Sequence, residues 1–171
     1  MSVLEQFIKD YQATTDDDKK ADIIRNEFEY LNDNNKWRFL SGLLKSKYTY
    51  DLVKVAIYRI IEVADFADPD LVEIKDQILY NLKDEEDELV KQWGFRSLTW
   101  NFSVFPDVID YCVDTVENVE EDLDVRHNAF SVITASKNKE RIDALHDRLL
   151  KIKDFAGYAN TFYKERDKDG R

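Results

Sequence analysis

Three nine-residue segments of this chain, 52–60, 90–98 and 125–133, share one arrangement of apolar and small residues. Each begins with an aliphatic residue, has Ala or Gly four positions later with a large apolar residue directly after it, and ends on another aliphatic residue. A small residue at a fixed point of a helix lets a second helix approach closely. Units that recur at such a period form stacked arrays. The recurrence therefore predicts an α-solenoid built from helix pairs.

Apolar residues follow the period of an α-helix along almost the whole chain, and no segment shows strict period-two alternation. Residues that interrupt helices are scarce, because the 171 residues include only 4 Gly and 2 Pro. The pattern predicts an all-α fold of about 8–10 helices joined by short turns. We expect a single domain over 1–165 and a frayed C-terminal tail over 166–171.

The segment 122–133 reads DLDVRHNAFSVI. It resembles the second helix of a HEAT repeat, whose pattern is Asp-x-x-Val-Arg-x-x-Ala-x-x-x-Leu/Ile. The segment 86–94 is similar but looser, with Lys in place of Arg and Gly in place of Ala. The resemblance implies a right-handed superhelix of antiparallel helix pairs, an architecture that usually serves to bind other proteins.

Acidic side chains outnumber basic ones by 36 to 25, which gives a formal net charge of −11. Affinity for nucleic acid comes largely from Lys and Arg that displace counterions from phosphates, so we expect no nucleic-acid ligand. Helical-repeat DNA glycosylases have a similar architecture, but their activity would need a basic groove. The charge favours a basic protein partner instead.

The first ten residues lack the positive and apolar regions of a secretory signal, and no apolar run approaches the ~20 residues of a membrane span. A lone cysteine, Cys112, cannot form an internal disulfide and lies in an apolar stripe, where a buried thiol is expected rather than a nucleophile. We therefore predict a cytoplasmic protein, monomeric in the free state and not bound to a membrane.

No phosphate-binding loop, nucleophile elbow or zinc-ligand spacing occurs in the sequence, and we predict no enzymatic activity and no cofactor. Two Asp-x-x-His pairs, Asp124 with His127 and Asp143 with His146, have the spacing of bundle metal ligands. Chance accounts for them better in a chain this rich in Asp, and apolar residues occupy the inward positions. We therefore predict no metal site.

Acidic clusters at 16–18, 84–88 and 117–124 each precede or begin the second helix of a predicted unit. Equivalent helix ends line one edge of a solenoid, so the clusters predict an acidic ridge, interrupted at the unit that carries Lys45 and Lys47. Helix capping and solubility explain part of this charge, and partner binding is the alternative interpretation. The candidate binding carboxylates are Asp84, Glu85, Glu86, Asp87, Glu88, Glu120, Glu121 and Asp122.

Aromatic residues are concentrated in the apolar loop 100–106. Trp100 and Phe102 are the candidate anchors, expected to be exposed beside the acidic cluster 84–88. Exposed aromatic side chains rimmed by carboxylates would suit the centre of an interface with a basic protein.

The sequence thus predicts a protein-binding module that docks a basic partner through an acidic, aromatic-containing surface. It resembles bacterial immunity proteins, which are small, acidic, single-domain and cytoplasmic, and which neutralise nuclease toxins with basic clefts. That resemblance implies a cognate toxin as the partner. The alternative is a scaffold solenoid in a larger assembly, which would expose apolar residues of the last helix such as Phe155, Phe162 and Tyr163.

Overall fold

The computed structural model describes residues 1–66 and 68–168. Every regular element in this part of the chain is helical, which confirms the all-α prediction. A short π-helical segment, Ile24–Phe28, continues the second helix. The α-helices are α1 Val3–Ala13, α2 Asp17–Ile23, α3 Lys36–Lys45, α4 Asp51–Val63, α5 Asp68–Asp84, α6 Glu88–Ser97, α7 Pro106–Glu117, α8 Leu123–Ala135, α9 Lys139–Ala144, α10 His146–Leu149 and α11 Ala156–Lys168.

Backbone contacts divide the chain into two compact units, Met1–Ser97 and Leu98–Arg171, here called the N-terminal and the C-terminal unit. The single domain expected over 1–165 stays a prediction. Helix α11 reaches Lys168, so 166–168 of the expected tail are helical, and 169–171 lie outside the described residues. No helix in the described part of the chain is long and apolar enough to cross a membrane.

Helix α4 is the centre of the N-terminal unit. It contacts α2, the π-helical segment, α3 and α6, while α5 packs on both α3 and α6. Eight of its 13 residues are buried, among them Ala56 at the small position of the repeated pattern. The later positions of the pattern, Ala56, Ile57 and Ile60, are buried as expected, whereas its first position, Leu52, is 36% exposed.

Gly94 holds the small position in α6, and the chain around it is tightly packed. A Cβ atom at Gly94 would lie 2.6 Å from Leu82 Cδ2 in α5 and 3.5 Å from Tyr58 Cε2 in α4. Both neighbouring side chains are almost completely buried. A larger residue at this position would require the Leu82 side chain to shift, which agrees with the role that the repeated pattern predicts for a small residue.

A buried lysine closes the end of the π-helical segment. Lys36 Nζ donates hydrogen bonds to the carbonyl oxygens of Phe28 at 2.9 Å and Leu31 at 2.7 Å. The last carbonyls of a helix have no partner within the helix, and this amino group supplies one. Burial lowers the pKa of Lys36, and the charge of Glu29 opposes that effect only in part.

The C-terminal unit is built on the pair α7 and α8, which pack along their lengths. The start of α11 joins α8 through aromatic contacts, with Phe155 4.8 Å from His127 and 5.3 Å from Phe130 between ring centroids. Helix α10 contacts α9 and α11. Cys112 of α7 is fully buried, as predicted, and that burial raises the pKa of its thiol far above the ordinary value.

Candidate functional site

One carboxylate of each acidic cluster caps a helix. Asp16 accepts a hydrogen bond from the backbone N–H of Lys19 at 3.1 Å, and Asp87 accepts one from Val90 at 2.9 Å. Asp122 does the same for α8, with Val125 N–H at 3.1 Å. These three aspartates satisfy N–H groups that a helix leaves unpaired at its start. Capping thus accounts for part of the acidic charge, and Asp87 and Asp122 have a structural role.

The carboxylate of Glu85 also has a structural role. One carboxylate oxygen accepts hydrogen bonds from the backbone N–H groups of Glu86 and Asp87, both at 3.1 Å, and organises the turn between α5 and α6. The other oxygen lies 2.9 Å from Lys54 Nζ in α4. The two side chains are only 11% and 13% exposed, so this pair ties the first turns of α4 to the turn before α6.

Lys54 is held as a cation by two carboxylates. Besides Glu85, its Nζ lies 3.4 Å from Asp51 Oδ1. Burial by itself lowers the pKa of Lys54, but the hydrogen bonds and charges of the two carboxylates outweigh burial, and the net shift is upward. The pair stabilises the charged form over the whole ordinary pH range.

Three carboxylates of the cluster 84–88 have no such role. Asp84, Glu86 and Glu88 are exposed, and no described residue forms an ion pair or a side-chain hydrogen bond with their carboxylates. Leu52 and Leu89 start α4 and α6 and are 36% and 44% exposed. The Lys54–Glu85 contact brings the start of α4 to the turn before α6. We call these five residues the acidic face.

A cavity of about 320 Å³ lies next to the acidic face. Asp84 and Glu86 line it together with Lys45 and Lys47, the residues expected to interrupt the acidic ridge. Tyr80, which is 64% exposed, lines it too. Acidic and basic side chains therefore lie together around this cavity at the end of α5.

The acidic cluster 117–124 of the C-terminal unit also contains both structural and exposed carboxylates. Glu121 accepts a hydrogen bond from the N–H of Asp122 at 3.1 Å and is half-buried, whereas Glu120 and Asp124 are exposed. Leu123, beside them at the start of α8, is 51% exposed. Of the predicted carboxylates in this unit, Glu120 is therefore the one most available to a partner.

The two aromatic candidates differ in exposure. Trp100 is 72% exposed, but Phe102 is 0% exposed and belongs to the core of the C-terminal unit. The position predicted for Phe102 at the surface is therefore wrong, because the loop turns this side chain inward, and a buried ring cannot anchor a partner. The expected neighbourhood of Trp100 and the cluster 84–88 stays a prediction.

Three ion pairs that join different helices were not predicted from the sequence. Arg96 in α6 reaches Glu62 in α4, Arg141 in α9 reaches Asp110 in α7, and each pair is separated by 31 to 34 residues. Arg148 in α10 binds Glu117 of α7 in the same way, through two hydrogen bonds of 2.7 Å. A signal was present in the sequence, since the two residues of each pair have opposite charge and lie 31 to 34 residues apart, close to the spacing of the repeated segments.

The Arg148–Glu117 contact predicts an effect of pH. Hydrogen bonds from Arg148 lower the pKa of Glu117, partly offset by burial. A lowered folded-state pKa contributes stability that is present above the ordinary value of 4.5 and is lost as the pH falls through the folded value. Glu117→Gln should therefore reduce the loss of stability below about pH 4.5.

Urea midpoints measured at several pH values between neutral and about pH 3 would test this expectation. Glu120→Gln is the matched control, because Glu120 is exposed and forms no ion pair with a described residue. Equal acid slopes for Glu117→Gln and wild type would contradict the role of the pair.

The Asp-x-x-His pairs do not converge on a common centre. His127 stacks against Phe155 and Tyr158, with ring centroids 4.8 and 5.2 Å away, and His146 Nδ1 lies 2.8 Å from Asp147. Within the described ranges, no group of three or more His, Cys, Asp or Glu residues could hold a metal ion. Both histidines have packing or hydrogen-bonding roles.

Comparison of the chain with protein-family models, with curated proteins and with solved structures finds no match. The proposals that follow therefore rest on the geometry of the molecule itself.

Proposed function

We propose that this chain is a protein-binding module that docks a basic partner through the acidic face of its N-terminal unit. The observation that carries the proposal is the combination of three exposed carboxylates with two exposed leucines at the starts of α4 and α6. Glu85 and Asp87 form hydrogen bonds that stabilise the fold, whereas the side chains of Asp84, Glu86 and Glu88 are exposed to solvent.

Charge and apolar surface supply different parts of such an interaction. Like charges this close repel one another, and a basic surface would relieve that repulsion and speed association. Carboxylates at the edge of an interface contribute little affinity by themselves, whereas buried side chains at its centre contribute most of it. Leu52 and Leu89 provide exposed apolar area at the starts of α4 and α6, in place of the aromatic anchor Phe102.

The architecture that we propose for this role is a HEAT-like solenoid of antiparallel helix pairs. The support lies in the contacts within each unit: the second helices α2, α4 and α6 pack in series, and the first helices α3 and α5 pack beside them. Arg148 joins α10 to α7 one repeat away. Stacked helices leave extended surfaces at their ends and faces, where partners bind.

We further propose that the partner is a bacterial toxin of the nuclease type and that the chain is its cytoplasmic immunity protein. A nuclease cleft is basic because it binds phosphates, and it is therefore complementary to the acidic face. An inhibitor that protects a cell must associate rapidly, and electrostatic steering raises association rates by about 10- to 1000-fold.

The scaffold alternative predicts an apolar surface on the last helix. Phe155 is 0% and Tyr163 is 7% exposed, and Phe162 is half-buried against Arg166. These rings form part of the packing of the C-terminal unit. The three rings expected to be exposed therefore give no support to the scaffold role, although Tyr158 of the same helix is 56% exposed.

The proposed function can be tested by expressing the protein encoded immediately upstream of this chain, alone and together with it. We expect the upstream protein to arrest growth and co-expression of this chain to restore it. Rescue of growth with direct binding of the two purified proteins would support the immunity role. An upstream protein that is harmless, or that does not bind, would contradict it.

Charge reversal tests the acidic face with the same pair of proteins. The triple variant Asp84→Lys, Glu86→Lys, Glu88→Lys should slow association by at least about tenfold at low salt, because the steering charge changes sign. It should also flatten the dependence of the association rate on salt. Stopped-flow or biolayer measurements at several salt concentrations give both quantities.

The matched control reverses three other exposed carboxylates of the N-terminal unit, Glu27, Asp65 and Glu73. It changes the net charge by the same amount at different places. If both triple variants slow association equally, the net charge and not the acidic face steers the partner.

A further inference from the structure

A second cavity, of about 500 Å³, lies in the C-terminal unit between the end of α8, the turn before α9 and one side of α11. Its wall includes three cationic side chains and a single carboxylate. The lining residues that matter for its chemistry are Ser136, Lys137, Lys139, Phe162, Glu165 and Arg166. A local excess of positive charge is unexpected in a chain with a formal net charge of −11.

The two lysines of this cavity are not used by the fold. Lys137 and Lys139 are exposed, and no described residue forms an ion pair with either of them. Elsewhere in the unit, Arg141 and Arg148 are each bound by carboxylates of α7. The lysines are therefore free to bind an anion from solution.

Arg166 supplies a hydrogen-bond donor in a fixed position, and Asp143 balances its charge. Its side chain is only 17% exposed, its Nη2 lies 2.8 Å from Asp143 Oδ1, and its guanidinium carbon lies 5.6 Å from the ring centroid of Phe162. Its Nη1 is buried without a hydrogen-bond partner among the described residues. An unsatisfied buried donor costs free energy, and an acceptor that reaches this nitrogen would recover that cost.

We propose that this cavity binds a small phosphomonoester. The two lysines, unpaired among the described residues, match the two negative charges of a phosphate dianion, whereas a carboxylate ligand would neutralise only one of them. The Ser136 hydroxyl can donate a further hydrogen bond, and Phe162 offers an apolar wall for the organic group. Glu165, the one carboxylate among the described lining residues, opposes the binding of an anion.

The experiment is a titration of the full chain, followed by two-dimensional NMR, first with inorganic phosphate and then with phenyl phosphate. We expect saturable shifts at the backbone amides of 136–139 and at the Arg166 side chain, at about millimolar phosphate. Phenyl phosphate should bind at least about threefold more tightly, because its ring can pack against Phe162.

The double variant Lys137→Gln, Lys139→Gln should weaken phosphate binding by about tenfold or more, because it removes two charge-assisted contacts. Lys151→Gln, Lys153→Gln is the control, with two exposed lysines of the same unit changed; its binding should stay within about twofold of wild type. Equal weakening by both double variants, or shifts that do not saturate, would overturn the proposal. If phenyl phosphate binds no more tightly than inorganic phosphate, the part of the proposal that assigns an organic group to the ligand is contradicted.

Discussion

Replacement of Gly94 by Val should lower the free energy of unfolding by about 3 kcal/mol, because α6 has no room for a side chain at this point. A Cβ atom would lie 2.6 Å from Leu82 Cδ2, and Leu82 is itself 2% exposed and cannot move into solvent. The valine would force the buried Leu82 side chain out of its packed position, with a shift of α5 if no other rotamer fits. Urea denaturation at constant pH measures the loss.

Gly42→Val is the matched control, since a Cβ atom at Gly42 in α3 would meet no side chain and no neighbouring helix within 4 Å. The same substitution there should change stability by less than about 0.5 kcal/mol, because Val and Gly differ little in helix propensity. If the two variants are equally stable, the close approach of α5 and α6 at Gly94 does not support the fold.

Arg126→Ala should destabilise the protein by about 3 kcal/mol, the second large effect that we expect, because the buried Val116 carbonyl loses its donor and the packing of the buried stem is lost. Arg126 is 4% exposed; its Nε donates to the carbonyl of Val116 at 3.0 Å, and its Nη1 lies 3.0 Å from Asp154 Oδ2. The guanidinium also lies 5.1 Å from the ring centroid of Phe155. One side chain therefore joins the end of α7 to the segment before α11.

Arg126→Met separates the polar contacts from the packing. Methionine keeps an apolar stem against Phe155 but leaves the Val116 carbonyl without the Arg126 donor, at a cost of about 1–2 kcal/mol. Asp154 is 45% exposed, so water can solvate the carboxylate that loses its partner. We expect Arg126→Met to fall between wild type and Arg126→Ala in urea denaturation. Equal losses for both variants would contradict a contribution from the packed stem.

The helices and the small positions of the repeat could be predicted because burial itself produces their pattern. Ala56, Gly94 and Ala129 recur at one repeat position and are all buried. Apolar periodicity records which side of a helix faces its neighbours, whatever the neighbours are. The arginine of the segment 122–133 was recognised by resemblance, but its contacts with Val116 and Asp154 depend on how the helices pack.

The candidate site could be predicted only in part. The sequence identified the cluster 84–88, but it could not distinguish Glu85, which folds back on its own turn and binds Lys54 31 residues away, from the exposed Glu86 beside it. Phe102 was misplaced for a related reason, since an apolar loop does not reveal which ring turns inward. The cavity around Lys137 and Arg166 could not be predicted from the sequence, because its lining comes from the end of α8, the turn that follows and the distant helix α11.

The most direct test of the central claim is hydrogen–deuterium exchange of this chain with and without the protein encoded immediately upstream. If the acidic face binds that partner, the amides at the start of α4 and from the end of α5 into α6, about 51–55 and 84–92, should gain protection in the complex. Protection confined to other helices, such as α1 or α11, with these two segments unchanged, would contradict the proposed docking surface.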